Sequence, residues 1–109
     1  MKNKNKSMYS IRNKKKAKHP FIIVGVNKIK FKAMGITHSK RSGHRNNLRL
    51  INNPNKDDKE PSYLKRQVIE DFKFNFSKAF NNYKLSNEDI DLIIDYLNKK
   101  RSSQLWYSL

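Results

Sequence analysis

The sequence predicts a single small α+β domain, with strands in the first two thirds of the chain and a helix near its end. The length of 109 residues suits one domain. Leu, Ile, Val and Phe together number 27, about a quarter of the chain, which exceeds the level of roughly 20% below which charged chains stay disordered. Strand-type apolar patterns and one clear helix signal then give the order of the elements.

Two adjacent strands form the clearest pattern. Phe21–Val26 is a continuous apolar run, typical of a strand that is buried on both faces. After a short turn, the segment 29–34 alternates apolar and basic side chains, so Lys30 and Lys32 are expected to face solvent. Gly35 then predicts a bulge or bend before the apolar pattern resumes.

The later elements are a set of short strands and a capped helix. Further strands are expected at 9–12, 47–51 and 63–69, and the segment 72–83 is predicted to be helical because its phenylalanines recur every four residues. Ser86 is predicted to cap the last helix, which is expected to end at the basic residues 99–101. The helix dipole and a solvated helix face account for four acidic residues, Glu88, Asp89, Asp91 and Asp95.

The charge is distributed very unevenly. The formal net charge is +16, yet sixteen basic and no acidic residues precede Asp57, and nine of each sign follow from there on. An AT-rich genome would raise the lysine content everywhere, but it would not separate the signs in this way. A uniformly positive region attracts a polyanion. Nucleic acid is therefore the expected partner, and an anionic membrane surface or an acidic protein is the alternative.

The expected organisation is a flexible basic arm at 1–18, one domain at 19–101 and a short tail at 102–109. An exposed basic loop is expected at 40–46, since this stretch has no apolar period. The residues expected to contact nucleic acid lie in the arm, on the first strands and in this loop; they are Lys14, Lys15, Lys16, Lys18, Lys30, Lys32, Lys40, Arg41, His44, Arg45 and Arg49.

Several classes of function are disfavoured. The chain has no cysteine, which excludes disulfides, a thiolate zinc site and a cysteine nucleophile. The three histidines lack the short spacing of a metal-ligand pair, so neither a metal nor another cofactor is expected. No apolar run approaches the roughly 20 residues of a membrane span, and the polar start is unlike a signal peptide. A cytoplasmic protein without a membrane partner is therefore expected.

Five short motifs occur in the order seen in one protein family. They are a basic residue and proline that open a buried strand (18–24), a Gly-Ile-Thr turn (35–39), a strand after an exposed loop (48–50), a Ser-led strand (62–68) and an acidic helix start (85–90). In this order the chain resembles the MazF/PemK-like toxins. The resemblance implies a small SH3-like antiparallel β-barrel with a C-terminal helical part, a homodimer, and cleavage of single-stranded RNA without metal.

The resemblance assigns roles to two positions. Thr37 stands where typical members have a catalytic threonine, whereas His19 stands where they have a catalytic arginine before the proline. The family's opening strand is replaced by the basic arm. The resemblance also leaves open an antitoxin or another protein as partner.

The chemistry of RNA cleavage can be supplied by residues of the basic half. Cleavage requires a base for the 2′-hydroxyl, an acid for the leaving 5′-oxygen and positive charge on the phosphate. If the first two strands form an antiparallel hairpin, His19 and the turn with Thr37 and His38 meet at one edge. We therefore expect His19 and His38 to act as the acid and the base towards the RNA. The Thr37 hydroxyl is expected to hydrogen-bond the phosphate.

Each of these residues also has a simpler interpretation. His19 can be an exposed strand-opening residue, Thr37 a common strand residue, and His44 a residue that stacks on a base without catalysis. The phenylalanines of 72–80 can form either a base-stacking platform or part of the core. The function left open beside the ribonuclease is a non-catalytic RNA- or DNA-binding module of a phage or mobile element, with an accessory or counter-defence role. A protein that binds an acidic protein surface is a third alternative.

Overall fold

A computed structural model describes residues 6–17 and 19–108, with side chains up to Lys100. Lys18, one of the expected nucleic-acid contacts, lies outside the described residues, as does the start of the expected arm. None of the helices within the described ranges has the length and apolar character needed to cross a membrane.

The chain folds into an antiparallel sheet that is followed by one helix. In chain order the elements are β1 (Ile11–Arg12), β2 (Phe21–Val26), β3 (Lys30–Thr37), β4 (Arg41–Ser42), β5 (Arg45–Asn46), β6 (Leu48–Arg49), β7 (Tyr63–Phe72), a 3-10 turn (Lys73–Asn75) and α1 (Asn87–Ser108). Five strands form one sheet in the order β1-β2-β3-β7-β6, and β4 and β5 form a separate hairpin. The predicted α+β class with an antiparallel sheet and a C-terminal helix is confirmed.

β3 is the central strand and pairs with β2 and β7. Its pairing with β7 shifts register between Met34 and Ile36, so the bulge predicted at Gly35 is confirmed. Three residues of β7, 65–67, occupy the interval that Gly35 alone spans on β3. Such a bulge bends the strand and redirects its side chains.

Apolar side chains fill both faces of the sheet. The face that α1 covers contains the buried residues Ile11, Ile22, Met34, Ile36, Leu50, Leu64, Leu85 and Ile93. The other face contains Ile23, Phe31, Ala33 and Phe76. Burial of β2 on both faces, which its continuous apolar run predicts, is therefore confirmed.

Residues 6–17 belong to the folded body, in contrast to the arm expected over 1–18. Ile11 of β1 is 1% exposed and enters the core beneath α1. The segment 75–80 follows the outer edge of β1 and forms three backbone hydrogen bonds with it and its flanking residues. The expectation was wrong for these residues because a small core gains about 1.5–3 kcal/mol from burying one large aliphatic side chain.

The helix predicted at 72–83 is absent from the described chain. β7 continues to Phe72, and one 3-10 turn leads into extended backbone. Phe76 is 7% exposed, and its ring meets that of Phe31 edge to face at 5.4 Å. The four-residue spacing of the phenylalanines therefore does not mark one face of a helix. Phe76 is buried in the core, whereas Phe72 is exposed.

The predicted loop at 40–46 is exposed, but it forms the β4–β5 hairpin. Gly43 lies at its turn with φ of +63°, a left-handed conformation that glycine adopts without strain. The turn brings Arg41 opposite Asn46 and Ser42 opposite Arg45.

α1 begins as predicted and ends later than predicted. Ser86 caps the helix, since its Oγ accepts a hydrogen bond from Asp89 N at 3.1 Å. The helix continues to Ser108 instead of ending at 101, so residues 102–108 are not a separate tail. No glycine or proline interrupts this stretch.

Candidate active site

A cavity of about 150 Å³ lies where β2 begins and β3 ends. We call it the histidine pocket; its lining residues are His19, Pro20, Ile36, Thr37, His38, Pro54, Asn55, Asp58, Ser62 and Tyr83. The antiparallel pairing of β2 with β3 produces it, because Phe21 pairs with Gly35 and Ile36 N donates to Pro20 O at 2.8 Å. The prediction that His19 meets the Thr37–His38 turn at one edge is confirmed; the roles of these residues stay predictions.

His38 is held by two carboxylates. Its Nε2 lies 2.5 Å from Asp58 Oδ2, and its Nδ1 lies 3.6 Å from Glu60 Oε2. The first contact is a short hydrogen bond, whereas the second exceeds hydrogen-bond distance. The Glu60 side chain is 74% exposed against 23% for Asp58. Asp58 therefore holds the ring more closely than Glu60, whose contact is longer and more exposed.

Asp58 is itself fixed by the loop that carries it. Its Oδ1 accepts from Glu60 N at 3.2 Å, and its backbone oxygen accepts from Asn53 Nδ2 at 2.7 Å. The hydrogen bond with His38 is the main cause that lowers the pKa of Asp58 below its usual value. An ionised Asp58 can orient the imidazole and stabilise its protonated form.

His38, Asp58 and Glu60 are also the residue types that bind divalent metals, and their ligand atoms lie within 4.8 Å of one another. The observed geometry favours a direct hydrogen bond between His38 and Asp58 instead. Two ligands of one tetrahedral zinc lie about 3.4 Å apart, given metal–ligand distances near 2.1 Å. Asp58 Oδ2 and His38 Nε2 are closer than this, and the two carboxylates approach different ring nitrogens.

Three hydroxyl-bearing residues line the pocket, Thr37, Ser62 and Tyr83, and the hydrogen bonds of two of them are defined. Thr37 is 6% exposed, and its Oγ1 accepts a hydrogen bond from Ser39 N at 3.2 Å. Its hydroxyl proton is therefore available to a ligand. Tyr83 OH accepts from Asn55 Nδ2 at 3.4 Å and is likewise able to donate.

Sequence reasoning missed Asp58 and Tyr83 as pocket residues. In the sequence, residues 52–58 have only the composition of a turn, rich in Asn and Asp. Tyr83 lies in the segment 72–83, which was predicted to be a helix. Asp58 is 20 residues from its partner His38. No local spacing rule connects residues that meet only through tertiary packing.

A second concave region lies between the β4–β5 hairpin and α1. This basic groove is lined by His44, Arg45, Asn46, Arg66, Tyr96, Lys99 and Lys100. Arg45 Nη1 donates to Arg66 O at 3.1 Å, and Arg66 Nε donates to Asn46 O at 3.0 Å. The guanidinium of Arg66 also lies 5.7 Å from the ring centre of Tyr96. Three other basic residues of the groove were not predicted to contact nucleic acid: Arg66, Lys99 and Lys100.

The other basic residues predicted to bind nucleic acid do not share one face. Lys14 pairs with Asp71 at 3.1 Å, and Lys15 and Lys16 are exposed beyond β1. Lys30 and Lys32 lie on β3 at the end away from the histidine pocket. Lys40, Arg41 and Arg49 are exposed on and beside the hairpin. Only His44 and Arg45 of the predicted set line the basic groove.

Comparison with known protein families, curated proteins and solved structures finds no match for this chain.

Proposed function

We propose that this protein is a metal-independent endoribonuclease that cleaves single-stranded RNA in the histidine pocket. One observation carries the proposal: two histidines, a threonine hydroxyl and an ionised carboxylate that holds one of the histidines line the same small cavity. These groups can supply the base, the acid and a hydrogen bond to the phosphate for cleavage by the RNA's own 2′-hydroxyl.

The residues divide the proton transfers between them. His19, which is exposed and free to approach a ligand, acts as the base that removes the 2′-hydroxyl proton. The 2′-oxygen then bonds to phosphorus while the bond to the 5′-oxygen breaks. His38, held by Asp58, donates its Nδ1 proton to that leaving oxygen. The products are a 2′,3′-cyclic phosphate and a 5′-hydroxyl, and Thr37 hydrogen-bonds the phosphate during the reaction.

The size of the pocket supports a polymeric substrate. Pockets that enclose a whole small ligand measure about 300–1,000 Å³, whereas this one measures about 150 Å³. A cavity of this size holds a phosphodiester and leaves the rest of the ligand outside. The basic groove, with Arg45 and Arg66, is available for flanking phosphates.

The proposal extends to the kinship with MazF/PemK-like toxins and to an SH3-like barrel. Support comes from the segment 75–84, which follows the edge of β1 and then reaches the 54–55 turn through the Asn55–Tyr83 bridge. This path continues the sheet beyond β1 towards the loop that follows β6. A homodimer, an antitoxin partner and a cytoplasmic location belong to the same proposal.

The test is cleavage of single-stranded RNA by the full chain and by His19→Ala and His38→Ala. Each substitution should lower the cleavage rate about 10²- to 10⁴-fold, because it removes one proton-transfer group. Affinity for 2′-O-methyl RNA, which cannot be cut, should stay unchanged. EDTA should not affect the rate, and DNA of the same sequence should remain intact.

His44→Ala is the matched control, because His44 lies in the basic groove and outside the histidine pocket. Its cleavage rate at saturating RNA should equal that of the wild type. An equal loss of rate in all three variants would contradict the assignment of the pocket. Absence of cleavage by the wild type, with and without Mg²⁺, would overturn the enzyme proposal.

A non-catalytic RNA- or DNA-binding module of a phage or mobile element is the second candidate. It is favoured by the carboxylates of Asp58 and Glu60 beside His38, since they repel an approaching phosphate. It is also favoured by His19 in the place of the family's arginine. Tight, salt-dependent binding of RNA or DNA without any cleavage would establish this function instead.

A further inference from the structure

The end of the sheet opposite the histidine pocket carries two exposed aromatic rings. We call Phe72, the last residue of β7, and Phe74, in the 3-10 turn, the aromatic platform. Their ring centres are 5.3 Å apart and their planes differ by 9°, so the rings are stacked. Phe74 is 68% exposed and Phe72 is 39% exposed.

A third apolar side chain extends this patch. Ile29, in the β2–β3 turn, is 60% exposed, and its backbone oxygen accepts from Lys73 N at 2.9 Å. Three of the five large apolar residues found exposed in the described chain therefore cluster at one end of the sheet. Clustered exposed apolar surface marks an interaction site more often than a single exposed residue does.

Lysines lie beside the platform. Lys30 Nζ lies 5.0 Å from the ring centre of Phe72, and Lys28 is exposed in the adjacent turn. Lys73 instead lies over the buried Phe31, on the other face of the sheet. Of the acids nearby, Asp71 already accepts hydrogen bonds from Phe72 N and Asn75 and pairs with Lys14, whereas Glu70 is exposed and lines one hollow with Lys30 and Lys32. The patch is thus aromatic, with more basic than acidic side chains at its rim.

A nucleobase with its phosphates matches this combination. Each base offers a flat π-face, and stacking on an exposed aromatic ring contributes about 1–3 kcal/mol per base. A purely apolar protein partner would not need the lysines at the rim. The charge of the rim therefore selects a single-stranded polyanion with accessible bases.

We propose that the aromatic platform is a second contact for single-stranded RNA, in which a base stacks on Phe74 while Lys28 and Lys30 contact its phosphates. This inference rests on the proposed function, since it requires RNA as the ligand. Lys30 and Thr37 lie at opposite ends of β3, which spans about 23 Å at roughly 3.3 Å per residue. RNA that occupies both sites therefore crosses the sheet, so binding should strengthen with RNA length.

The test measures the affinity of fluorescein-labelled single-stranded 2′-O-methyl RNA by anisotropy. Phe74→Ala should weaken binding about tenfold or more, which corresponds to at least about 1.4 kcal/mol. Phe74→Trp should retain the affinity because it keeps a flat ring, and Phe74→Leu should lose it. The dependence of affinity on salt should be the same for wild type and Phe74→Ala, because the lost contact involves no phosphate.

Ile51→Ala is the matched control, since Ile51 is a similarly exposed apolar residue, 61%, in the loop after β6. Its affinity should equal that of the wild type. Wild-type affinity in Phe74→Ala would overturn the platform while leaving the proposed ribonuclease intact. Loss of self-association without loss of RNA affinity would show that the platform binds a second copy of the chain, and would also overturn it.

Because this RNA cannot be cut, the measurement is independent of catalysis. A wild-type protein that binds RNA through Phe74 yet cleaves none would refute the ribonuclease and support the platform. A wild-type protein that binds no RNA would refute both.

Discussion

Asp58 supports the proposed chemistry without touching the reacting atoms. It binds one nitrogen of His38 and leaves the other towards the exposed Glu60. It thereby sets which nitrogen of the ring faces a ligand. Asp58 is thus a positioning residue, whereas His19 and His38 are the proposed catalytic residues.

Asp58→Asn should lower kcat for RNA cleavage by about 10- to 100-fold, a part of the 10²- to 10⁴-fold that acid–base catalysis contributes. KM should change little, because Asp58 does not bind the RNA. Steady-state cleavage assays would separate the two constants. Asp57→Asn is the control, since the neighbouring exposed carboxylate does not line the pocket. An Asp58→Asn enzyme that lost affinity but kept kcat would contradict the positioning role.

At the level of the elements, a buried carboxylate joins the start of α1 to the end of β6. Asp89 is completely buried and accepts hydrogen bonds from Ile51 N at 2.6 Å, Asn52 N at 2.9 Å and Ser86 Oγ at 3.1 Å. Asp89 lies in the first turn of α1, as the sequence predicts, but its complete burial was not predicted. The reason is that the chain after β6 turns under the helix and presents two backbone donors.

Asp89→Ala should lower the free energy of unfolding by about 2–4 kcal/mol, since it removes a buried carboxylate that accepts hydrogen bonds from two partly buried backbone N–H groups. Asp91→Ala, at an exposed position of the same helix, should cost less than about 1 kcal/mol. Urea denaturation of both variants would test this. Equal stability of the two variants would contradict the proposed junction.

At the level of the whole molecule, acids from the second half of the chain neutralise part of the basic first half. Asp71 pairs with Lys14 and Asp58 with His38. The pKa of Asp71 is lowered by hydrogen bonds from the Asn75 side chain and the Phe72 backbone, and by Lys14. The pKa of Asp58 is lowered mainly by its hydrogen bond with His38. The net charge of +16 therefore does not describe the local field at these two sites.

These lowered pKa values predict loss of stability in acid. A carboxylate with a pKa lower in the folded than in the unfolded state stabilises the fold above the unfolded value, near 3.9 for Asp. That stabilisation is lost as the pH falls through the lower folded pKa. Tm should therefore decline below about pH 4, and Asp71→Asn should show a smaller decline than the wild type. An unchanged acid dependence in Asp71→Asn would contradict this assignment.

Features of the fold and the pocket that depend on residues close together in the sequence could be predicted, whereas those that depend on distant residues could not. β2, β3 and their bulge are local patterns, and their hairpin geometry was sufficient to place His19 beside Thr37. Asp58 could not be found in this way, because a long loop returns it to His38. The segment 72–83 was wrongly predicted to be helical because its phenylalanines both alternate, at 72, 74 and 76, and recur every four residues, at 72, 76 and 80. The packing of Phe76 in the core distinguishes extended backbone from a helix.

The edges of the sheet bear on aggregation. A bare strand edge exposes backbone groups that pair with other chains. Here one edge, β1, is covered by the segment 75–80. At the other edge, β6 pairs only with Tyr63 and Leu64 of the ten-residue β7, so β7 beyond Leu64 has no partner strand on that side within the described residues. This stretch carries charged side chains at positions 65, 66, 70 and 71, which hinder pairing with the strand of a second molecule. We therefore expect charge at this edge to limit cross-β polymerisation, and added salt to weaken that protection where RNA concentrates many copies together.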